Sequence, residues 1–241
     1  MLRYLCLLIL FVVAIPISFA RAADPAPFNA TYSVSYLGVK AGLLHFELRA
    51  EGNGRYVYET RATPGLVASL IVSKKAVERS SMRIDAEGVR PLSWSLEDGK
   101  SGKEHDGKLT FDWEAKRVTG TVEGERVDLP TEAGLQDRLS FQIAALTELL
   151  RGKEPGTIPM LDDDRIKPYS YSRKGEERIK TEAGEYEAVL YESTRPRSKR
   201  FSRIWHAPTL GFIPVRFERV NRGKVETVME LISVEQPARE R

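Results

Sequence analysis

The chain has 241 residues, of which 41% are hydrophobic and 29% are charged. This is the composition of a globular protein, and β-rich chains of this length commonly fold as one domain. The formal net charge of +3 lacks the strong basic excess of a nucleic-acid-binding domain, so the sequence argues against nucleic acid as a partner.

Residues 1–22 have the pattern of a cleavable secretory signal. One arginine precedes an apolar run, a proline breaks the run, and Ala20 and Ala22 have the spacing that a signal peptidase prefers. The run is shorter than the roughly 20 residues needed to span a bilayer, which favours a cleaved signal over a retained anchor. Cleavage between Ala22 and Ala23 would release residues 23–241 into the periplasm as a single β-rich domain.

The mature chain predicted from this cleavage has no cysteine and almost no net charge. Cys6 is the sole cysteine and lies inside the signal. Disulfides, cysteine zinc sites and cysteine nucleophiles are therefore excluded from residues 23–241. Removing the signal leaves 35 basic and 34 acidic residues, because Arg3 and Arg21 are lost, and the net charge falls to about +1.

Short runs with alternating polar and apolar residues dominate the chain from Phe28 onward. Examples are "FNATYSVSY", "RYVYETRA" and "KLTFDW", and later "GEYEAVLYEST" and "RFSRIWHA". Glycine, asparagine or aspartate separates the runs, a spacing typical of an antiparallel meander. One stretch, "TPGLVASLIVSKK" at 63–75, lacks clean alternation, and a short helix, a flap and a buried strand all remain open for it.

The stretch "GLQDRLSFQIAALTELLRGKEPG" at 134–156 carries helical periodicity instead. Its apolar residues recur at intervals of three or four: Leu135, Leu139, Ile143, Leu146 and Leu150. Thr131 or Gly134 would precede the first turn, and Gly152 is placed for a C-cap. The pattern predicts an amphipathic helix over about 135–151.

This apolar stripe has to be buried against the predicted sheet. Five buried Leu or Ile side chains represent roughly 7 to 15 kcal/mol before entropy is subtracted. Twist accumulates across a sheet of about ten or more strands, so a wide sheet curls. The sequence therefore predicts an all-β dominated fold, a strongly curved antiparallel sheet or open β-barrel with the helix on its concave side. A flat sandwich whose helix covers an edge is the alternative.

Three stretches resemble a bacterial family of periplasmic proteins known as domain-of-unknown-function family 3108. They are "YSVSYLGVKAGLLHFEL", "LQDRLSF" and "RIWHAPTLGFIPVRFERVNRGKVETVMEL". The motif residues are Gly38, Gly42, Asp137, Ser140, Trp205, Pro214 and Arg216. The resemblance supplies no catalytic residues. The final hairpins are also similar, at fold level, to LolA/LolB-type lipoprotein carriers, in which an incomplete barrel closed by helices holds acyl chains.

Signatures of common enzymes are missing from the sequence. It contains no HExxH, GxSxG, P-loop or dinucleotide-binding glycine pattern. The histidines His45, His105 and His206 are scattered, and Asp162–Asp164 lacks the ligand spacing of a calcium loop. We therefore expect a non-enzymatic protein with no metal and no cofactor.

Two groups of residues are candidates for binding. Helix and strand residues predicted to line a cavity are Leu139, Ile143, Leu146 and Trp205. Basic residues predicted to meet anionic headgroups are Arg195, Arg197, Lys199 and Arg200; protection of a hairpin edge is the alternative for this charge. Asp137 and Ser140 are predicted to be structural, at the start of the helix.

These residues favour a periplasmic cell-envelope protein that binds an apolar or amphipathic ligand, such as a lipid, in the cavity of the curved sheet. The predicted partners are that ligand, an envelope protein and, transiently, a membrane surface. The alternative function is a protein–protein interaction module that supports envelope integrity without a small ligand. Lipid bound to the purified protein would distinguish the first from the second.

Overall fold

Fourteen antiparallel strands form one sheet in the computed structural model, which describes residues 24–65, 73, 75–100 and 105–237. The first seven are β1 (Phe28–Tyr36), β2 (Val39–Gly52), β3 (Arg55–Pro64), β4 (Val77–Asp85), β5 (Gly88–Glu97), β6 (Gly107–Asp112) and β7 (Arg117–Val122). The others are β8 (Glu125–Pro130), β9 (Thr157–Asp162), β10 (Arg165–Thr181), β11 (Gly184–Thr194), β12 (Arg200–Ala207), β13 (Ile213–Asn221) and β14 (Lys224–Glu235).

Strands adjacent in the chain pair with each other, except at one place. The order is β8-β7-β6-β5-β4-β3-β2-β1-β14-β13-β12-β11-β10-β9, so the first and last strands pair in the middle of the sheet. Tyr32 of β1 lies opposite Leu231 of β14. The two edge strands, β8 and β9, come from the middle of the chain and do not pair with each other. The sheet is therefore not closed into a barrel, in agreement with the predicted curved sheet or open barrel.

The α-helix α1 (Ser140–Leu150) lies in the connection between the two edge strands. Eight of its eleven residues are buried. On one side Gln142 accepts a hydrogen bond from the Tyr58 hydroxyl of β3 at 3.4 Å. On the other side the Phe141 ring lies 5.8 Å from the Tyr171 ring of β10. The prediction of a curved sheet with a helix on its concave side is confirmed, and a flat sandwich is excluded.

The helix begins later than the sequence predicted. Residues 135–139 are not helical, because Gln136 extends alongside the edge strand β9. The Gln136 amide donates to the Pro159 carbonyl at 2.9 Å, and the Leu161 amide donates to the Gln136 carbonyl at 2.8 Å. The expected caps at Thr131 and Gly134 are wrong for the same reason.

The C-terminal end of α1 agrees with the sequence. Gly152 has a φ of 70°, and its amide donates to the Leu149 carbonyl at 3.0 Å. This left-handed conformation is unfavourable for a side chain with a Cβ, so glycine suits the position.

Two apolar clusters make up the core. The larger one joins α1 to strands from both halves of the sheet and includes Phe28, Tyr32, Phe46, Leu48, Tyr58, Met82, Ile213, Val215 and Leu231. The smaller one lies beside β5–β8 and includes Trp94, Leu109, Phe111, Val118 and Val127. The helix is therefore a central part of the larger cluster.

Some sequence predictions lie outside the described residues. These include the signal at 1–22 with Cys6, the cleavage site between Ala22 and Ala23, and positions 66–72 and 74 of the apolar stretch. They stay predictions, as does the single-domain assignment of residues 23–241. In the part of the chain that is described, no helix is long and apolar enough to cross a bilayer.

Candidate binding surfaces at the interior helix and the loop rim

A buried carboxylate holds the beginning of α1 in place. Asp137 is 1% exposed and accepts hydrogen bonds from the amides of Leu139 at 2.9 Å and Ser140 at 2.8 Å. Its other oxygen accepts from the Ser80 hydroxyl of β4 at 2.6 Å. Burial raises the pKa of Asp137 to about 6, and these hydrogen bonds to the charged form oppose the rise. Asp137 therefore fixes both the first turn of α1 and its position against the sheet.

The residues on either side of Asp137 add further contacts. Gln136 donates from its side-chain amide to the Val89 carbonyl at 2.8 Å. Arg138 donates to Glu78 at 3.2 Å, and its guanidinium lies 4.8 Å from the centre of the Trp94 ring. Ser80 and Glu78 were missed by the sequence analysis, because a polar residue in a strand gives no sign of a partner some 60 residues away.

The three helix residues predicted to line a cavity are closely packed. Leu139, Ile143 and Leu146 are each at most 4% exposed. Of the three, Leu146 borders a cavity of about 10 Å³, which it shares with Phe28, Leu150, Ile213 and others. This volume suits about one water molecule. In the described residues, side chains therefore fill the space between α1 and the sheet.

The fourth cavity candidate, Trp205, lies on the opposite face of the sheet. Side chains alternate along β12, and His206 faces the helix side, where its ring lies 6.4 Å from that of Tyr171. Trp205 points away from that side, and its indole donates to Glu177 at 3.0 Å. Trp205 belongs to the same large apolar cluster as Leu139, Ile143 and Leu146, but its indole faces Glu177 and the outer groove and does not line the space around α1.

Trp205 instead lines an outer groove of about 690 Å³. The groove is also lined by Lys174, Glu177, Ile179, Leu190, Glu192, Arg203, Arg216 and Glu218. Its charges are paired with each other: Arg216 contacts Glu218 at 2.7 Å, and Arg203 contacts Glu192 at 3.5 Å. The groove therefore offers no excess of either charge to a ligand.

The four basic candidates separate into two sets. Arg195 is engaged, because it pairs with Asp162 at 2.9 Å and lies 5.5 Å from the centre of the Tyr169 ring. Arg197, Lys199 and Arg200 are exposed, and none of them has a carboxylate partner among the described residues.

Three neighbouring connections form what we call the loop rim, residues 36–40, 195–200 and 221–226. The Arg222 amide donates to the Lys199 carbonyl at 3.0 Å, and the Leu37 amide donates to the Glu226 carbonyl at 2.7 Å. The exposed Arg222 thus joins the basic group. Sequence reasoning missed it, because only the fold places the β13–β14 turn beside the β11–β12 loop.

Two of the histidines, His45 and His206, and the acidic run Asp162–Asp164 have ordinary structural partners; in the run, Lys167 contacts Asp162 at 3.0 Å and Asp163 at 3.3 Å. His45 contacts the hydroxyls of Thr31 at 3.2 Å and Thr63 at 3.1 Å. His206 is buried, and its Nδ1 donates to the Phe212 carbonyl at 2.7 Å, because a carbonyl oxygen can only accept. Burial lowers the pKa of His206 to about 4. Within the described ranges, no three His, Cys, Asp or Glu side chains gather as a metal site.

A single curved antiparallel sheet around an interior helix defines the class of barrel-like β proteins. The chain belongs to the family described as "Protein of unknown function (DUF3108)", whose model matches residues 31–230. This confirms the family resemblance seen in the sequence. No curated protein matches the chain.

Solved structures resemble this chain at low sequence identity. The "Beta-barrel-like Protein of Domain of Unknown Function DUF1849 from Brucella abortus" is 10% identical, with 90% of this chain and all of that chain covered and a TM-score of 0.58. The MucA/MucB complex of Pseudomonas aeruginosa gives 12% identity, coverage of 89% and 53%, and a TM-score of 0.38. A candidate outer membrane lipoprotein-sorting domain from Vibrio parahaemolyticus is 9% identical, with 90% of this chain and 87% of that chain covered and a TM-score of 0.31. The first likeness shows the fold alone.

Proposed function

We propose that this is a non-enzymatic periplasmic protein of the cell envelope that binds an amphipathic ligand with an anionic group. The observation that carries the proposal is the loop rim. There Arg197, Lys199, Arg200 and Arg222 are exposed together and have no carboxylate partner in the described structure.

This arrangement contrasts with the rest of the surface, where basic residues commonly pair with acids. Arg216, for example, contacts both Glu218 and Glu230 at 2.7 Å. An unpaired group of cations is free to bind phosphate, and a basic residue close to an anionic membrane contributes about 1 kcal/mol. Arginine adds bidentate geometry that suits a phosphate group.

The interior is a less suitable place for the ligand. An acyl chain between α1 and the sheet would need α1 to move, because Leu139, Ile143 and Leu146 are already packed. Such a movement would also break the buried contact between Asp137 and Ser80. Binding at the loop rim needs no rearrangement, so we place the anionic group there.

Titration calorimetry with soluble short-chain lipids tests the proposal. Dihexanoylphosphatidylglycerol, which is anionic, should bind, and dihexanoylphosphatidylcholine, which is zwitterionic, should bind much more weakly. Replacing Arg197, Lys199 and Arg200 together with Gln should abolish the preference for the anionic lipid.

A matched control removes the same charge elsewhere. Arg55, Arg83 and Lys108 are also exposed, and their triple replacement with Gln should leave binding unchanged. Equal losses in both triple variants would show a general charge effect and would contradict a specific rim site.

A second candidate function is a protein–protein interaction module. The specific observation is the edge strand β8, which pairs with β7 on one side and, among the described residues, has no strand on the other. An exposed edge can add a strand from a partner. A photo-crosslinker at Arg126 of β8, compared with one at Arg55 of β3, would capture an envelope protein specifically if this function holds.

A further inference from the structure

The loop rim also concentrates the exposed apolar side chains of the described molecule. Four large hydrophobic residues are exposed there: Tyr36, Leu37, Val39 and Val225. Leu37 and Val39, at the tip of the β1–β2 hairpin, are each 61% exposed. A single exposed apolar residue needs no explanation, but a cluster of them marks an interaction site.

The backbone of the tip makes Leu37 unusual as well as exposed. Leu37 and Gly38 form a two-residue turn with φ values of 49° and 79°. Positive φ is unfavourable for leucine, and such hairpin turns favour asparagine, aspartate or glycine.

Three other turns in the same sheet show the usual choice. Asn53–Gly54, Glu123–Gly124 and Arg222–Gly223 have first φ values of 51°, 49° and 49°. Each has a polar residue where the β1–β2 turn has Leu37. Neither backbone conformation nor contact with water favours leucine in the free protein.

The charges around the tip indicate which kind of surface suits it. Lys40 follows the tip in β2, and Arg222 and Lys224 lie at the neighbouring turn, all exposed. Glu226 is the adjacent carboxylate, and it accepts a hydrogen bond from the Asn221 side-chain amide at 2.8 Å. An apolar tip surrounded by cations matches a bilayer surface, where anionic headgroups cover a hydrocarbon layer.

We propose that the loop rim docks on an anionic lipid bilayer, with the β1–β2 tip inserted below the headgroups. This inference rests on the proposed function, since the same cations bind the headgroups. Leu37 and Val39 enter the hydrocarbon, and Tyr36 lies at the interface, where its ring is buried and its hydroxyl stays hydrated. Docking leaves the packed interior unchanged.

Flotation with lipid vesicles tests the insertion. Vesicles of three parts phosphatidylcholine to one part phosphatidylglycerol should bind the protein, whereas pure phosphatidylcholine vesicles should bind it much less. Leu37→Asn keeps a residue that favours the turn and should weaken vesicle binding by about tenfold or more. Asn53→Leu makes the reverse exchange at a turn with the same backbone and should leave binding unchanged.

A second measurement reports the position of the tip directly. In Leu37→Trp, bromine-labelled acyl chains should quench the added fluorescence relative to the wild-type protein, and in Asn53→Trp they should not. Vesicle binding unaffected by Leu37→Asn, with no quenching at position 37, would overturn the insertion. The proposed function would still stand if dihexanoylphosphatidylglycerol binds, and it fails on its own if that soluble lipid does not bind.

Discussion

Apolar and charged side chains are buried and paired around α1, whereas at the loop rim they are exposed and largely unpaired. Around α1, apolar residues are packed, and the buried Asp137 has three hydrogen-bond donors within 2.9 Å. At the loop rim, Leu37 and Val39 face water, and Arg222 has no acidic partner among the described residues. The first arrangement stabilises the fold. The second contributes little to the free protein, so under the proposed function stability and binding reside in different regions.

The largest effect should come from truncating buried apolar side chains in α1 or directly before it. Leu139→Ala or Ile143→Ala should lower the free energy of unfolding by about 2 to 5 kcal/mol, because burial is lost and a cavity is left. Urea denaturation measures this loss, and Glu148→Ala, at a half-buried helix position, serves as a control with a small effect. Binding of dihexanoylphosphatidylglycerol should not change in the folded variants. A loss below about 1.5 kcal/mol with weaker uptake of an apolar probe would instead make α1 a cavity wall.

Asp137 and His206 are both buried, and they should make the stability of the fold depend on pH in opposite directions. The pKa of Asp137 is raised from 3.8 to about 6, so the folded state binds its proton first and acidification from pH 6 to 4 stabilises the fold. The pKa of His206 is lowered from 6.5 to about 4, so acidification through that range destabilises it. Each contribution is about 3 kcal/mol, and in the wild-type protein they largely offset each other.

Single substitutions should separate these two contributions. Asp137→Asn leaves His206 unopposed, so its stability should fall more steeply than that of the wild-type protein between pH 6.5 and 4. His206→Asn can still donate to the Phe212 carbonyl, and its stability should rise relative to the wild-type protein over the same range. Urea denaturation at several pH values gives both slopes. Parallel slopes in all three proteins would show that the buried groups do not titrate as described.

At the loop rim, in contrast to the substitutions at α1, a substitution is expected to raise the free energy of unfolding slightly. Leu37→Asn should raise the free energy of unfolding by up to about 1 kcal/mol, because asparagine tolerates positive φ better than leucine. Asn53→Leu should lower it by a similar amount. Thermal unfolding of the two variants measures both changes, and destabilisation by Leu37→Asn would mean that Leu37 is part of the core.

The smallest effect on stability should come from the rim cations. Arg222→Gln should change the free energy of unfolding by less than about 0.5 kcal/mol, since the side chain has no ion pair to lose. It should nonetheless weaken binding to anionic vesicles by about fivefold. A large loss of stability would show that Arg222 supports the fold after all.

Local pattern was sufficient to predict most of the fold. Alternation gave the antiparallel strands, and the spacing of Leu139, Ile143 and Leu146 gave the helix. The start of α1 could not be predicted, because Gln136 pairs with a strand that follows later in the chain. The face on which Trp205 lies and the absence of a partner for Arg222 also depend on contacts between distant segments.

The pairing of β1 with β14 has a consequence for how the protein is assembled. Asn29 lies opposite Glu235, so the middle of the sheet stays incomplete until β14 has been synthesised. Two local meanders, β1–β8 and β9–β14, can form first. The pairing of β1 with β14 then brings together residues that are very far apart in sequence, and such contacts form slowly. A circular permutant that joins the two ends and opens the chain after α1 should make this pairing a local hairpin. Stopped-flow refolding should then show a faster final phase.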